Sequence, residues 1–120
     1  MKKRIIISTS TDLVRIAPEH IVYISSDGNY STLVQTDGEA RMLSYQLGQI
    51  ADMIDLQLGA EGKAFIRIGR SLIVNSSYIY HINLSRQKLI LSDIDRFHHT
   101  LQASKDALTK VKEFLEKEAK

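Results

Sequence analysis

The apolar residues of this chain come in short, largely β-branched runs, and turn signals cut off almost every one of them. Ile5-Ile6-Ile7 and Leu13-Val14-Arg15-Ile16 are separated by a Ser/Thr/Asp stretch and read as a strand pair at a sheet edge. Pro18, the single proline, ends the second run. Residues 21–24 read as a strand, and Ser26-Asp27-Gly28-Asn29 carries the Asp-Gly signal of a tight hairpin. Residues 30–35 return, and Thr36-Asp37-Gly38 turns the chain into a third strand over 39–43, which makes a meander. Farther on, 65–68 and 72–74 flank a kink at Gly69-Arg70-Ser71. Residues 79–82 and 88–91 flank Ser85-Arg86-Gln87 as another hairpin, and 97–101 is a last strand.

Only two segments carry a helical period. Leu47, Ile50, Ala51, Ile54 and Leu58 share one helical face; Ser44 is the expected N-cap, and Gly59 and Gly62 close the segment. Ser104 caps a closing helix, with Asp106 in its first turn and an apolar stripe at Leu108, Val111 and Leu115, Phe114 beside it. The expected fold is mainly β: an antiparallel sandwich or meander of short strands with one mid-chain helix and one C-terminal helix. A length of 120 residues fits a single domain over 1–120. The βαβ rhythm and phosphate-cradling Gly-rich loop of nucleotide-binding folds do not occur.

Composition removes several chemistries. With no cysteine, a disulfide framework, a thiolate metal site and a cysteine nucleophile are excluded. No apolar run approaches the roughly 20 residues of a membrane span. The basic start Met1-Lys2-Lys3-Arg4 leads into only three apolar residues, where a signal peptide needs about 7–15, so the expected location is the cytoplasm, with no membrane partner. His98-His99 would point to opposite faces of a strand and cannot easily share a metal. Asp93 and Asp95 follow the end of a strand and read as a solvated turn. No Gly-x-Ser-x-Gly elbow occurs. The residues call for no catalytic activity, no cofactor and no metal.

The net charge of +2 hides an uneven distribution. From Gly62 to Ser92 there are five basic residues, Lys63, Arg67, Arg70, Arg86 and Lys88, and no acidic one. Such a stripe is the footprint expected for a polyanion, although solvated strand faces give the same density.

Two blocks carry a resemblance. Ile21-Val22-Tyr23-Ile24-Ser25-Ser26-Asp27-Gly28-Asn29-Tyr30-Ser31 with Thr36-Asp37-Gly38, and Phe65-Ile66-Arg67-Ile68-Gly69-Arg70-Ser71-Leu72-Ile73-Val74-Asn75 with Tyr78-Ile79, resemble the LytTR-type DNA-binding domain. Leu101-Gln102-Ala103-Ser104-Lys105 is similar to the family's Leu-Pro-Val-Ser-Arg segment before its last helix. The match spans roughly residues 13–116. It implies a bacterial transcriptional regulator of the response-regulator, two-component type. Such a protein binds duplex DNA through loops that reach neighbouring major grooves, at paired direct repeats in promoters, with a second copy on the DNA. By position, the contact loops are Asp27–Ser31 with Asn29 and Tyr30, the Gly69-Arg70-Ser71 kink, and Ser104-Lys105.

The chemistry of these residues agrees. Arg70 can pair bidentately with guanine. Asn29 can read adenine or serve as a turn residue. Tyr30 can meet the backbone or be a half-buried strand aromatic. Ser104 and Lys105, at a helix N-terminus, suit a phosphate. Arg67, Ser71, Arg86 and Lys88 are further phosphate candidates. The family's usual His before Arg-Ser is Gly69 here, and Pro-Val-Ser-Arg has become Gln102-Ala103-Ser104-Lys105. The match leaves no length for a receiver domain, and Met1 running directly into a strand favours a stand-alone regulator over an excised effector half. The alternative reading is a LytTR-like scaffold that binds an upstream regulator protein without touching DNA.

Overall fold

A computed structural model describes residues 3–119; Met1-Lys2 of the basic lead and Lys120 lie outside them. The chain runs β1 (Ile5–Ser8), β2 (Leu13–Ile16), β3 (Ile21–Asp27), β4 (Tyr30–Gln35), β5 (Ala40–Leu43), α1 (Leu47–Leu58), β6 (Phe65–Ile68), β7 (Leu72–Asn75), β8 (Ile79–Asn83), β9 (Lys88–Ser92), β10 (His98–Gln102) and α2 (Lys105–Glu116). All strand pairs are antiparallel. A five-stranded sheet in the order β5-β4-β3-β7-β6 is accompanied by a three-stranded sheet β10-β9-β8 and a ribbon β1-β2. The expected mainly-β class with two helices is what the chain adopts.

The five-stranded sheet is covered on both faces. On one, Ile24, Leu33, Leu43 and Ile73 pack against Leu47, Ile50, Ile54 and Leu58 of α1 and against Ile5, Ile7 and Ile16 of the ribbon. On the other, Val22, Ile68, Leu72 and Val74 meet Leu89 and Leu91 of β9, Phe97, and Leu108 and Val111 of α2. Strict alternation would put Val22 and Ile24 on the same face. A bulge between Ile21 and Tyr23 separates them, because the extra residue inverts the pleat. Both cores therefore draw on β3.

Three local expectations are corrected. The ribbon β1-β2 does not extend a sheet edge; it is a sheet of its own, seated on α1. The amide of Gln57 substitutes for a strand partner: the Ile6 N–H donates to its Oε1 and its Nε2 donates to the Ile6 carbonyl, both at 2.8 Å. That satisfies an edge which would otherwise invite pairing. The N-cap of α1 is Gln46, not Ser44. Tyr45 is pinned on both sides, its carbonyl accepting from the Ser31 hydroxyl and its own hydroxyl donating to the Ser8 carbonyl, so the helix starts only after it. The last strand begins at His98, and Phe97 is a buried core residue before it. Among the described residues no helix is long and apolar enough to cross a membrane.

Candidate nucleic-acid interface

β3 and β4 are joined by the two-residue turn Gly28-Asn29, with Asp27 paired to Tyr30. Gly28 has φ +66° and Asn29 is not in the left-handed region, the pattern of a type II′ hairpin. Asn29 is exposed at the tip and Tyr30 is 48% exposed beside it. Ser31, by contrast, is fully buried, with its hydroxyl donating to the Tyr45 carbonyl at 2.8 Å. The motif thus divides into two exposed residues and one that anchors them. Gln46 reaches the tip as well: its Nε2 donates to the Asn29 Oδ1 at 3.5 Å.

β6 and β7 are joined by Gly69-Arg70-Ser71, with Ile68 paired to Leu72. Gly69 has φ +60°, and a β-carbon there would meet nothing within 4 Å. Its glycine character is demanded by the backbone angle, not by crowding. Arg70 and Ser71 are exposed. Asn75, which ends this block, is a structural residue. Its Nδ2 donates to the carbonyls of Ile21 at 3.0 Å and Pro18 at 3.3 Å, and its Oδ1 accepts from the Ser77 N–H.

These two bends lie together because β3 pairs with β7. The Ser26 N–H donates to the Ser71 carbonyl at 2.8 Å, which sets the Arg70 turn against the base of the Asn29 hairpin. The start of α2 joins them. Gly69 and Ser104 line one groove of about 900 Å³ between β6 and α2, together with Lys63, Phe65, Lys110 and Phe114. Ser104 caps α2 as expected, accepting from the Ala107 N–H at 3.2 Å, and Lys105 is exposed in the first turn. Arg86 and Lys88 sit at the β8–β9 turn. That turn meets the approach to α2, where Ala103 N–H donates to the Gln87 carbonyl and Lys88 pairs with Gln102. Arg67 is turned toward α1, its Nη1 lying 3.7 Å from where a Gly48 β-carbon would be.

The nine candidate residues, Asn29, Tyr30, Arg67, Arg70, Ser71, Arg86, Lys88, Ser104 and Lys105, are all exposed. Among the described residues, ion pairs form at Asp93–Arg96 and Lys112–Glu116, and neither uses one of these cations. Acids do approach the rim: Asp27 adjoins the hairpin tip, and Asp106 follows Lys105. Gln46 was not legible from the sequence as part of this cluster, since a helix expected to begin at Ser44 places Gln46 within its first turn.

Of the side chains considered for other chemistry, Asp93 is held by hydrogen bonds and His99 by ring contacts. The Asp93 carboxylate accepts from the backbone N–H groups of Asp95, Arg96 and Phe97 and from the Arg96 guanidinium. Desolvation pushes its carboxyl upward, but the Phe97 and Arg96 hydrogen bonds outweigh it and hold it at about 2. The His99 ring is edge-on to Tyr23 at 5.4 Å and tilted against Phe97 at 5.7 Å, whereas His98 is exposed.

The comparisons with known proteins agree with this architecture. The chain matches the solved LytTr DNA-binding domain of a putative methyl-accepting/DNA response regulator from Bacillus cereus with a TM-score of 0.62 at 17% identity, covering 96% of this chain and 98% of that one. A search of curated proteins gives no match. The sequence profile of the LytTr DNA-binding domain matches residues 11–116, and by that match the chain belongs to the LytTr DNA-binding family.

Proposed function

We propose that this protein is a non-catalytic bacterial transcriptional regulator that binds duplex DNA sequence-specifically, presenting three bends to the major groove. Arg70 reads a base edge, most favourably guanine, and Asn29 and Tyr30 flank it from the neighbouring hairpin. Ser104 and Lys105 hold a phosphate at the start of α2, where backbone N–H groups and the lysine both favour an anion. Ser71, Arg67, Arg86 and Lys88 extend the backbone track. Its targets are paired direct repeats in promoters, each repeat taking one copy, and its place of action is the cytoplasm, where such promoters are.

The observation that carries this reading is the Ser26–Ser71 hydrogen bond together with the groove shared by Gly69 and Ser104: the first two bends meet through that bond and the second meets the start of α2 in the groove, and among the described residues neither ion pair uses a candidate cation. Selection of bound sequences from a random DNA pool, followed by mobility-shift titration, tests it. The expected result is an enriched motif whose affinity falls with salt by about 0.9 log unit per phosphate neutralised, for each log unit of salt. Failure to bind any duplex at low salt, with stoichiometric capture of a regulator protein, would favour the protein-interaction scaffold instead.

A further inference from the structure

Asn29 does not stand alone at its hairpin tip. Its Oδ1 accepts from the Gln46 Nε2 at 3.5 Å, and the Gln46 backbone is held, because its N–H donates to the Gln49 Oε1 at 2.9 Å. Tyr45, one residue earlier, is fixed to the same hairpin through the buried Ser31 hydroxyl. The start of α1 and the tip of β3–β4 are thus registered to each other by a backbone anchor, and the two amides meet on that frame.

The geometry points to Gln46 as a positioning residue that decides what Asn29 reads. An asparagine pairing with adenine must accept from N6 through Oδ1 and donate to N7 through Nδ2. With Oδ1 turned to Gln46, Asn29 presents its amide nitrogen outward, as a donor. A donor suits the acceptor edge of guanine, where N7 and O6 both accept, and meets an unhelpful N6 donor on adenine. Gln46 therefore makes Asn29 select guanine. Without it the Asn29 amide is free to turn over, and adenine becomes the better partner. This inference rests on the DNA-binding reading above and adds a base assignment to it.

The test compares binding profiles of five proteins on the same random DNA pool: the wild type, Asn29→Ala, Gln46→Met, Gln46→Lys and the double variant Asn29→Ala/Gln46→Met. Gln46→Met keeps the length and removes the donor; Gln46→Lys restores a donor to Oδ1. The wild type is expected to prefer guanine at one position, by roughly five- to tenfold over adenine. Asn29→Ala abolishes the preference at that position alone. Gln46→Met moves it toward adenine, and Gln46→Lys keeps guanine. The double variant Asn29→Ala/Gln46→Met should match Asn29→Ala, because Gln46 acts through Asn29. A Gln46→Met profile identical to wild type, where Asn29→Ala has lost its position, overturns the inference and leaves the interface standing. An Asn29→Ala profile identical to wild type removes Asn29 from the interface and the inference with it. A wild type that binds no duplex defeats the functional reading itself.

Discussion

The Ser26 N–H and the Ser71 carbonyl, 45 positions apart, meet at 2.8 Å. That single bond continues the β3–β7 ladder one step past Ser25–Leu72 and closes the distance between two exposed bends. It sets the turn that carries Arg70 against the base of the hairpin that carries Asn29. The same β6–β7 turn reaches the start of α2, since Gly69 lines the groove that Ser104 shares.

Arg70 is the sharpest point on this rim. Its side chain is exposed and forms no ion pair among the described residues, so its removal should leave the fold intact. Arg70→Ala is expected to cost about 1–3 kcal/mol in binding to the best sequence and to relax preference at one base position. Titrations against the selected duplex and its single-base variants check this. Unchanged affinity and unchanged preference would remove Arg70 from the interface.

Lys105 should behave differently. In the proposed function it meets a phosphate, a contact that carries no sequence information. Lys105→Ala is therefore expected to weaken every duplex alike and to reduce the slope of log affinity against log salt by about 0.9. A change of base preference would contradict the phosphate role.

Gly69 separates backbone geometry from contact. Space is open around it, but φ is +60°. Gly69→Ala is expected to destabilise the fold by about 1 kcal/mol through the left-handed penalty, with no steric clash. Thermal unfolding measures this. If Gly69→Ala leaves stability unchanged, the turn can relax out of the left-handed region and the glycine has another purpose.

Much of this was legible in the sequence for a physical reason. Period-two apolar runs bounded by Asp-Gly turns specify strands and hairpins locally, and Ser104 with Ala107 forms a cap within one turn. What the sequence hid was non-local. Nothing near Ile21 announces the bulge that lets β3 serve two cores, and nothing near Ser44 announces that Tyr45 is tied to Ser31 and Ser8, which delays the N-cap of α1 to Gln46. The pairing of β3 with β7, which brings the bends together, joins segments almost 50 residues apart in the chain. Motif residues also divided by burial: Ser31 and Asn75 anchor, while Asn29, Tyr30 and Arg70 face outward.

His99 gives the fold a pH dependence of its own. Its Nε2 is buried without a hydrogen-bond partner among the described residues, and its ring lies between Tyr23 and Phe97. Desolvation, assisted by the neighbouring His98, lowers its pKa from the ordinary 6.5. Below 6.5, and down to the lowered value, the unfolded chain binds the proton more readily than the folded one. Stability contributed by neutral His99 is thus fully present above about pH 6.5 and is lost as pH falls through that window. His99→Phe keeps an aromatic ring, removes the unpartnered nitrogen and should be neutral or stabilising by about 1 kcal/mol at pH 7. Chemical denaturation between pH 5 and pH 8 should show the wild type losing stability toward the acid end and His99→Phe losing less. Parallel curves for the two proteins would mean that His99 finds water or a partner for its Nε2 and does not resist protonation.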